Sequence, residues 1–389
     1  MSHRKTQFVF YIIIIAQFFG TSLWFAGNAI LPQLQQQFHW PSSALGYITS
    51  STQLGFIVGT LVFSVLGLAD RFSPSKIFFW SSLAGSCVNL VALVDPSSYP
   101  LVIMSRCLVG FFLAGIYPVG MKIAADWKKE GLGNWLGALV GALVLGTAFP
   151  HGMKLLPGFI EPTILLISIS LLSVLGGTMV LFGVGDGPYR KGRAAFSFSS
   201  LGQFFKIPAF RSPAFGYFGH MWELYAFWTF VPWIVITYHQ THPVDVSPSL
   251  LSFLIIGSGS IGCVLGGKWS SKIGSEKVAA YALISSGICC LLSPVLWFLP
   301  TWMFMTFMIV WGLTVVADSP QFSTLIARNA PEEFRGSAIT LSTCIGFSIT
   351  IVSIQLLNYG QEWIPKEYLF LLLLPGPVFG LVSMKKANA

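Results

Sequence analysis

Charge is what this sequence has least of. Of its 389 residues only 22 are Lys or Arg and 14 Asp or Glu, 9% of the chain, where a soluble protein carries about 25%. A water-soluble fold of this length must cover its outside with polar groups, so that class is excluded and lipid is the solvent for most of the surface. Cysteine is scarce as well. Cys87, Cys107, Cys263, Cys289, Cys290 and Cys344 all fall inside apolar runs, without ligand spacing or an aqueous pair, so they read as small packing residues rather than a disulfide framework or a zinc site. The Gly-x-x-x-x-Gly-Lys-Ser/Thr phosphate loop is missing, which excludes an ATP-driven pump. Histidine numbers six and forms no cluster with acids at one membrane face, as a membrane enzyme would need. The nearest approach, His239 to Asp245, reads as a solvated loop. Polar residues are too sparse for the repeating polar faces of a channel. No enzyme activity, metal or cofactor is expected.

What is present is apolar. Hydrophobic residues make up 54% of the chain and mean hydropathy is +0.73. They gather into twelve runs, approximately 8–31, 43–68, 77–94, 100–125, 133–156, 162–184, 212–237, 249–267, 278–299, 302–326, 337–357 and 368–384. A helix needs roughly 20 apolar residues to cross ~30 Å of hydrocarbon, and nearly all the runs are that long. The seventh, interrupted by His220 and Glu223, is the weakest. Arg4 and Lys5 precede the first run as in a signal peptide, but the run is too long and no Ala-x-Ala follows, so it reads as a retained first helix.

The basic residues set the orientation. With twelve crossings and a cytoplasmic N-terminus, nineteen of the 22 fall on one side, Lys154 and Lys366 on the other, and Arg106 within a run. That bias is a positive-inside signal, with both termini cytoplasmic in a plasma (inner) membrane. It accounts for the formal charge of +8 through anionic lipid, so nucleic acid is not an expected partner.

The halves echo each other. The longest polar stretch, 185–211, separates six runs from six and suits a cytoplasmic linker between a first unit, 1–184, and a second, 212–389. Asp70, after the second run, and Ser271, after the eighth, lie 201 positions apart; Gly133 and Gly336, after the fourth and tenth, lie 203 apart. Two loops at nearly one period argue for a duplicated six-helix unit.

With these features the chain resembles the major facilitator superfamily of secondary transporters over essentially its whole length. The family's loop after spans two and eight reads roughly Gly-x-x-x-Asp-Arg-x-Gly-Arg-Arg. The first copy here keeps Asp70, Arg71 and Lys76, with Gly67 one position late and Ser73-Pro74 in place of the second glycine; the second keeps Gly267, Lys272, Gly274 and Lys277, with Ser271 in place of the acid. The resemblance implies an all-α membrane protein of twelve transmembrane helices in two six-helix bundles. It also implies a cytoplasmic gate built on Asp70, Arg71, Lys76, Lys272 and Gly274. Arg106 with Gly110 looks like the family's fourth-span Arg-x-x-x-Gly pattern. Gly137, Gly141 and Gly146 resemble its fifth-span antiporter signature, but Ala142 stands where that signature has proline.

A charge inside the bilayer costs at least ~2.5 to 3.5 kcal/mol, so an ionisable residue kept there should be paired, hydrated or functional. Glu223, ten residues beyond Pro213 and near the midplane, is the expected protonatable site. His220, three residues earlier, can share its face and its proton. Arg106 either pairs with an acid or attracts an anionic solute. Asp318, beside the helix-breaking Pro320, is a substrate contact or a gate partner. Lys122 and Asp126, four apart, read as a helix-end ion pair. Trp24 and Asn28 on the first helix, Tyr117 on the fourth, and Trp222, Tyr225 and Trp228 on the seventh are candidates to line a cavity or to pack. The expectation is a monomeric carrier of a small organic, anionic solute, proton-coupled and of symporter type, working by alternating access. Efflux of drugs or metabolites and a non-transporting receptor are the alternatives.

Overall fold

Proline, which has no N–H to leave unpaired in a first helical turn, opens many of the helices. Pro74, Pro100, Pro118, Pro162, Pro208, Pro248 and Pro320 each sit in that turn. The computed structural model describes residues 3–128, 132–159, 161–190, 204–242, 245–331 and 335–385. The middle of the expected linker, 191–203, lies outside them, as do positions 243 and 244 of the outer loop.

Regular structure among the described residues is helical throughout. In chain order it comprises α1 (His3–Thr21), α2 (Ala26–Phe38), α3 (Ala44–Val65), α4 (Leu68–Arg71), α5 (Pro74–Val91), α6 (Tyr99–Leu113), α7 (Tyr117–Trp127), α8 (Leu132–Met153), α9 (Pro162–Gly183), α10 (Pro208–His239), α11 (Pro248–Ile273), α12 (Ser275–Leu292), α13 (Thr301–Thr314), α14 (Ser319–Asn329), α15 (Arg335–Gly360), α16 (Lys366–Leu369) and α17 (Pro375–Lys385). Helix α10 takes in the last four residues of the expected linker.

Ten helices among the described residues, some as broken pairs, are long and apolar enough to cross a membrane, against twelve apolar runs in the sequence. The two left out are α5 and α10. Their polar residues explain the shortfall: Ser81, Ser82, Ser86 and Asn89 on α5, and His220, Glu223 and Thr229 on α10, are all buried inside the protein. A helix that turns its polar groups to other helices loses apolarity without exposing anything to lipid.

The chain divides into two compact units, residues 1–197 and 198–389. Within each, one helix crossing is made by glycine. A Cβ on Gly110 (α6) would fall on the Thr52 carbonyl of α3, and one on Gly59 (α3) on the Phe111 carbonyl of α6. In the second unit a Cβ on Gly312 (α13) would meet the Ile255 carbonyl of α11, and one on Gly262 (α11) the Leu313 carbonyl of α13. Backbones this close have no room for a side chain, the usual way membrane helices gain dispersion contact. Gly59 and Gly262 are 203 positions apart, Gly110 and Gly312 are 202, so the crossings recur at the period of the loops.

Three crossings are interrupted midway: at 22–25 between α1 and α2, at 114–116 between α6 and α7, and at 315–318 between α13 and α14. The last two begin 201 positions apart. Breaking a helix frees backbone groups that lipid cannot satisfy, and the protein supplies partners. Trp24 N–H bonds the Thr21 carbonyl at 3.0 Å. The Cys263 thiol donates to the Val316 carbonyl at 3.4 Å.

Candidate functional site

In the second unit the isolated ionisable residues converge. Helix α10 is 32 residues long; fifteen precede Glu223 and sixteen follow it. Glu223 is 1% exposed. Its Oε1 accepts from Trp311 Nε1 at 2.7 Å and from Cys290 Sγ at 3.3 Å, and its Oε2 accepts from Ser286 Oγ at 2.9 Å. Ser286 and Cys290 are four apart on α12, and Trp311 is in the last turn of α13, so three helices close on one carboxyl. No Lys or Arg forms an ion pair with it among the described residues.

His220 is not among the hydrogen-bond partners of Glu223. Its Nδ1 lies 2.8 Å from Asp318 Oδ1, both side chains buried. One turn along α10 is therefore enough to reach both halves of the broken pair α13–α14: Glu223 meets Trp311 just before the interruption, and His220 meets Asp318 just before α14 begins. His220 Nε2 has no hydrogen-bond partner among the described residues. The arrangement brings two carboxyls and an imidazole together inside the unit, all three buried.

The first unit buries a base instead. Arg106 is 1% exposed, and its stem packs on Gly27, whose hypothetical Cβ would lie 2.6 Å from Arg106 Cδ. Its Nη2 donates to Asn89 Oδ1 at 2.6 Å. Asn89 is held in turn by Ser170 Oγ at 2.9 Å and the Leu166 carbonyl at 3.2 Å. Nε and Nη1 have no partner, and among the described residues no carboxylate comes within ion-pair range. A neutral amide oxygen supports a guanidinium without neutralising it. The same turn of α2 engages two more helices: Asn28 donates to Thr49 Oγ1 at 2.7 Å, and Lys154 Nζ to the Ala29 carbonyl at 3.0 Å. Lys154 follows the last residue of α8, and burial lowers its pKa to about 8.

The aromatic candidates divide. Tyr225 and Trp228 lie edge to face at 5.2 Å, and Tyr225 also meets Phe347 at 5.1 Å. Trp24 packs on Phe56 at 4.9 Å. Trp222 ties its indole N–H to the Leu372 carbonyl at 2.9 Å, so it braces the end of the chain. Tyr117 is half-buried at the start of α7. His239, the last residue of α10, has its ring nitrogens 2.7 and 2.9 Å from the Val235 and Val246 carbonyls.

The loop after the second crossing makes contacts within its own unit. Gly67 takes φ +61°, the left-handed region that glycine tolerates, and starts the short α4 that carries Asp70. Asp70 pairs with Lys122 at 3.0 Å, closer than the Lys122–Asp126 contact at 3.7 Å that spacing alone suggests. Arg71 and Lys76 are exposed; the residue that closes the loop is Arg190. It donates to the Asp70 and Phe72 carbonyls at 2.9 and 2.7 Å and pairs with Asp186 at 2.9 Å, while Asp186 accepts from Ser73 Oγ at 2.6 Å. In the second unit Lys272 is exposed, and Gly274, at φ +89°, makes the sharp turn from α11 into α12. Sequence reasoning missed Arg190, Asn89, Ser286, Cys290 and Trp311. None of the five is unusual in composition, and only their contacts mark them.

Comparison with known proteins places this geometry. A profile of the Major Facilitator Superfamily matches residues 13–353. An uncharacterized MFS-type transporter, YceJ of Bacillus subtilis (strain 168), is 23% identical over 274 residues, spanning 67% of this chain and 66% of that protein. Among solved structures the chain is similar to a nucleoside transporter, NupG, with a TM-score of 0.70 at 13% identity, covering 98% of this chain and 99% of the other. At that identity the likeness is one of fold.

Proposed function

Because the chain belongs to the major facilitator superfamily, we propose that it is a secondary transporter that carries a small organic anion by alternating access, with Glu223 as the site of the coupled proton. The observation that carries this reading is that, among the described residues, the buried Arg106 of the first unit has no acid within ion-pair range and the buried Glu223 and Asp318 of the second have no Lys or Arg, while the first unit's buried acid, Asp126, lies at a helix end against Lys122. A buried guanidinium left with free N–H groups attracts an anionic solute group. A buried carboxyl ringed by donors, with no basic partner, is suited to taking and giving up a proton.

The same reading takes α5 and α10 as crossings, which brings the total to twelve in two bundles of six, residues 1–184 and 212–389 joined by 185–211. The membrane is the plasma (inner) membrane, both termini are cytoplasmic and the carrier acts as a monomer. Asp70, Arg71, Lys76, Lys272 and Gly274 belong to its cytoplasmic gate, with Lys122 and Arg190 added as the partners of the first copy. Import with protons is favoured over drug efflux, because Ala142 replaces the proline of the antiporter helix.

A thermal-shift screen of the purified protein against a metabolite library finds the ligand, which stabilises the folded state by mass action. Reconstituted in liposomes, the protein should then accumulate that ligand under an inward proton gradient and exchange it without one. Glu223→Gln is expected to abolish accumulation and leave exchange largely intact. Equal loss of both sinks the coupling role, and no counterflow at all makes the chain a receptor.

A further inference from the structure

Resting on the reading of Glu223 as the proton site, we infer that the proton is carried on its Oε2 and that Ser286 is the positioning residue that switches from donor to acceptor when it arrives.

An ionised carboxylate only accepts hydrogen bonds, and three donors face Glu223. They are not equivalent. The indole N–H of Trp311, 2.7 Å from Oε1, can donate but has no lone pair to accept with. The Cys290 thiol, 3.3 Å from the same oxygen, accepts weakly. A proton on Oε1 would therefore set an O–H against a fixed N–H. Ser286 Oγ, 2.9 Å from Oε2, is the one strong group there that can do either. It also has a second outlet, because its Oγ lies 3.4 Å from the Leu283 carbonyl of its own helix. With Glu223 ionised, the serine hydroxyl points at Oε2. When a proton from the aqueous phase forms an O–H bond on Oε2, that O–H donates to Ser286 Oγ, and the serine hydroxyl turns to Leu283. One O–H bond forms, none on serine breaks, and no buried group is left unpaired in either state.

The other titratable groups that act on Glu223 are Cys289 and Cys290 of α12 and Asp318 beyond the break; His220 of its own helix is engaged by Asp318. None of them offers Oε2 an acceptor.

The test needs no substrate. Infrared difference spectra between acid and alkaline buffer, taken on the full-length protein in lipid, should contain a carboxylic-acid C=O band that Glu223→Gln removes. Ser286→Ala is expected to keep that band and move it to higher wavenumber, because the acid O–H loses its acceptor. Ser286→Thr should restore the position, and Cys290→Ala should give the smaller shift. Should Ser286→Ala fail to fold, Ser286→Cys serves, with an upshift between the two. A band that stays put without the serine hydroxyl, or that moves further in Cys290→Ala, overturns the assignment to Oε2. A spectrum in which Glu223→Gln removes nothing overturns the proton site itself, a failure distinct from the first.

Discussion

The two units treat their isolated buried charges differently. The first sets Arg106 against an amide and a glycine with no acid in ion-pair range among the described residues; the second surrounds Glu223 with donors and gives Asp318 a histidine. The glycine crossings and one of the helix breaks recur at almost one period, so the scaffolds correspond while the chemistry does not. A duplicated scaffold leaves each copy free to specialise, and placing Arg106 and Glu223 in different copies keeps those two from pairing inside either one.

The contrast is open to attack at three points. The largest effect should come from Asp318→Asn, which removes one member of a buried pair. Losses of this kind run to about 3–5 kcal/mol, so thermal unfolding should fall sharply. The double variant with His220→Asn should cost less than the sum of the two single changes. Additive losses would mean that the pair is no unit.

Next is Asn89→Asp, which puts an acid where Arg106 now has an amide and makes the first unit resemble the second. Affinity for an anionic ligand found by thermal shift should drop about 100-fold, equivalent to about 2.8 kcal/mol, without loss of folding. An unchanged affinity would show that Arg106 is structural.

The smallest effect concerns Lys154. Burial holds its pKa at about 8 against an ordinary 10.5. Between those values the unfolded chain keeps a proton that the folded one has released, so stability rises with pH across the window and is flat below it. Taken from pH 8 to 9.5, the gain should be about 1–2 kcal/mol in the parent protein and absent in Lys154→Met, read from the melting temperature.

Much of the architecture was legible because lipid imposes it. Long apolar runs and a repeat near 202 residues both follow from crossing a bilayer with a duplicated chain. Legibility ends where polarity turns inward. Helix α5 and helix α10 fall short of the apolarity of the ten candidate spans, and Asn89 and Glu223, which contribute to that, are buried against neighbours far away in sequence. Pairing was also beyond reach. Three-residue spacing put His220 and Glu223 on one face, but which acid the imidazole meets is decided 98 positions later, at Asp318. Cys290, read as packing, sits in hydrogen-bond range of Glu223 for the same reason.

The clamp that Arg190 makes on the loop at Asp70 and Phe72 has a practical consequence. It ends the first unit with its own fastening, so that unit does not depend on the peptide bond to the next residue to stay closed. A gene cut between codons 191 and 203 should thus yield two polypeptides that fold separately and, co-expressed, complement each other.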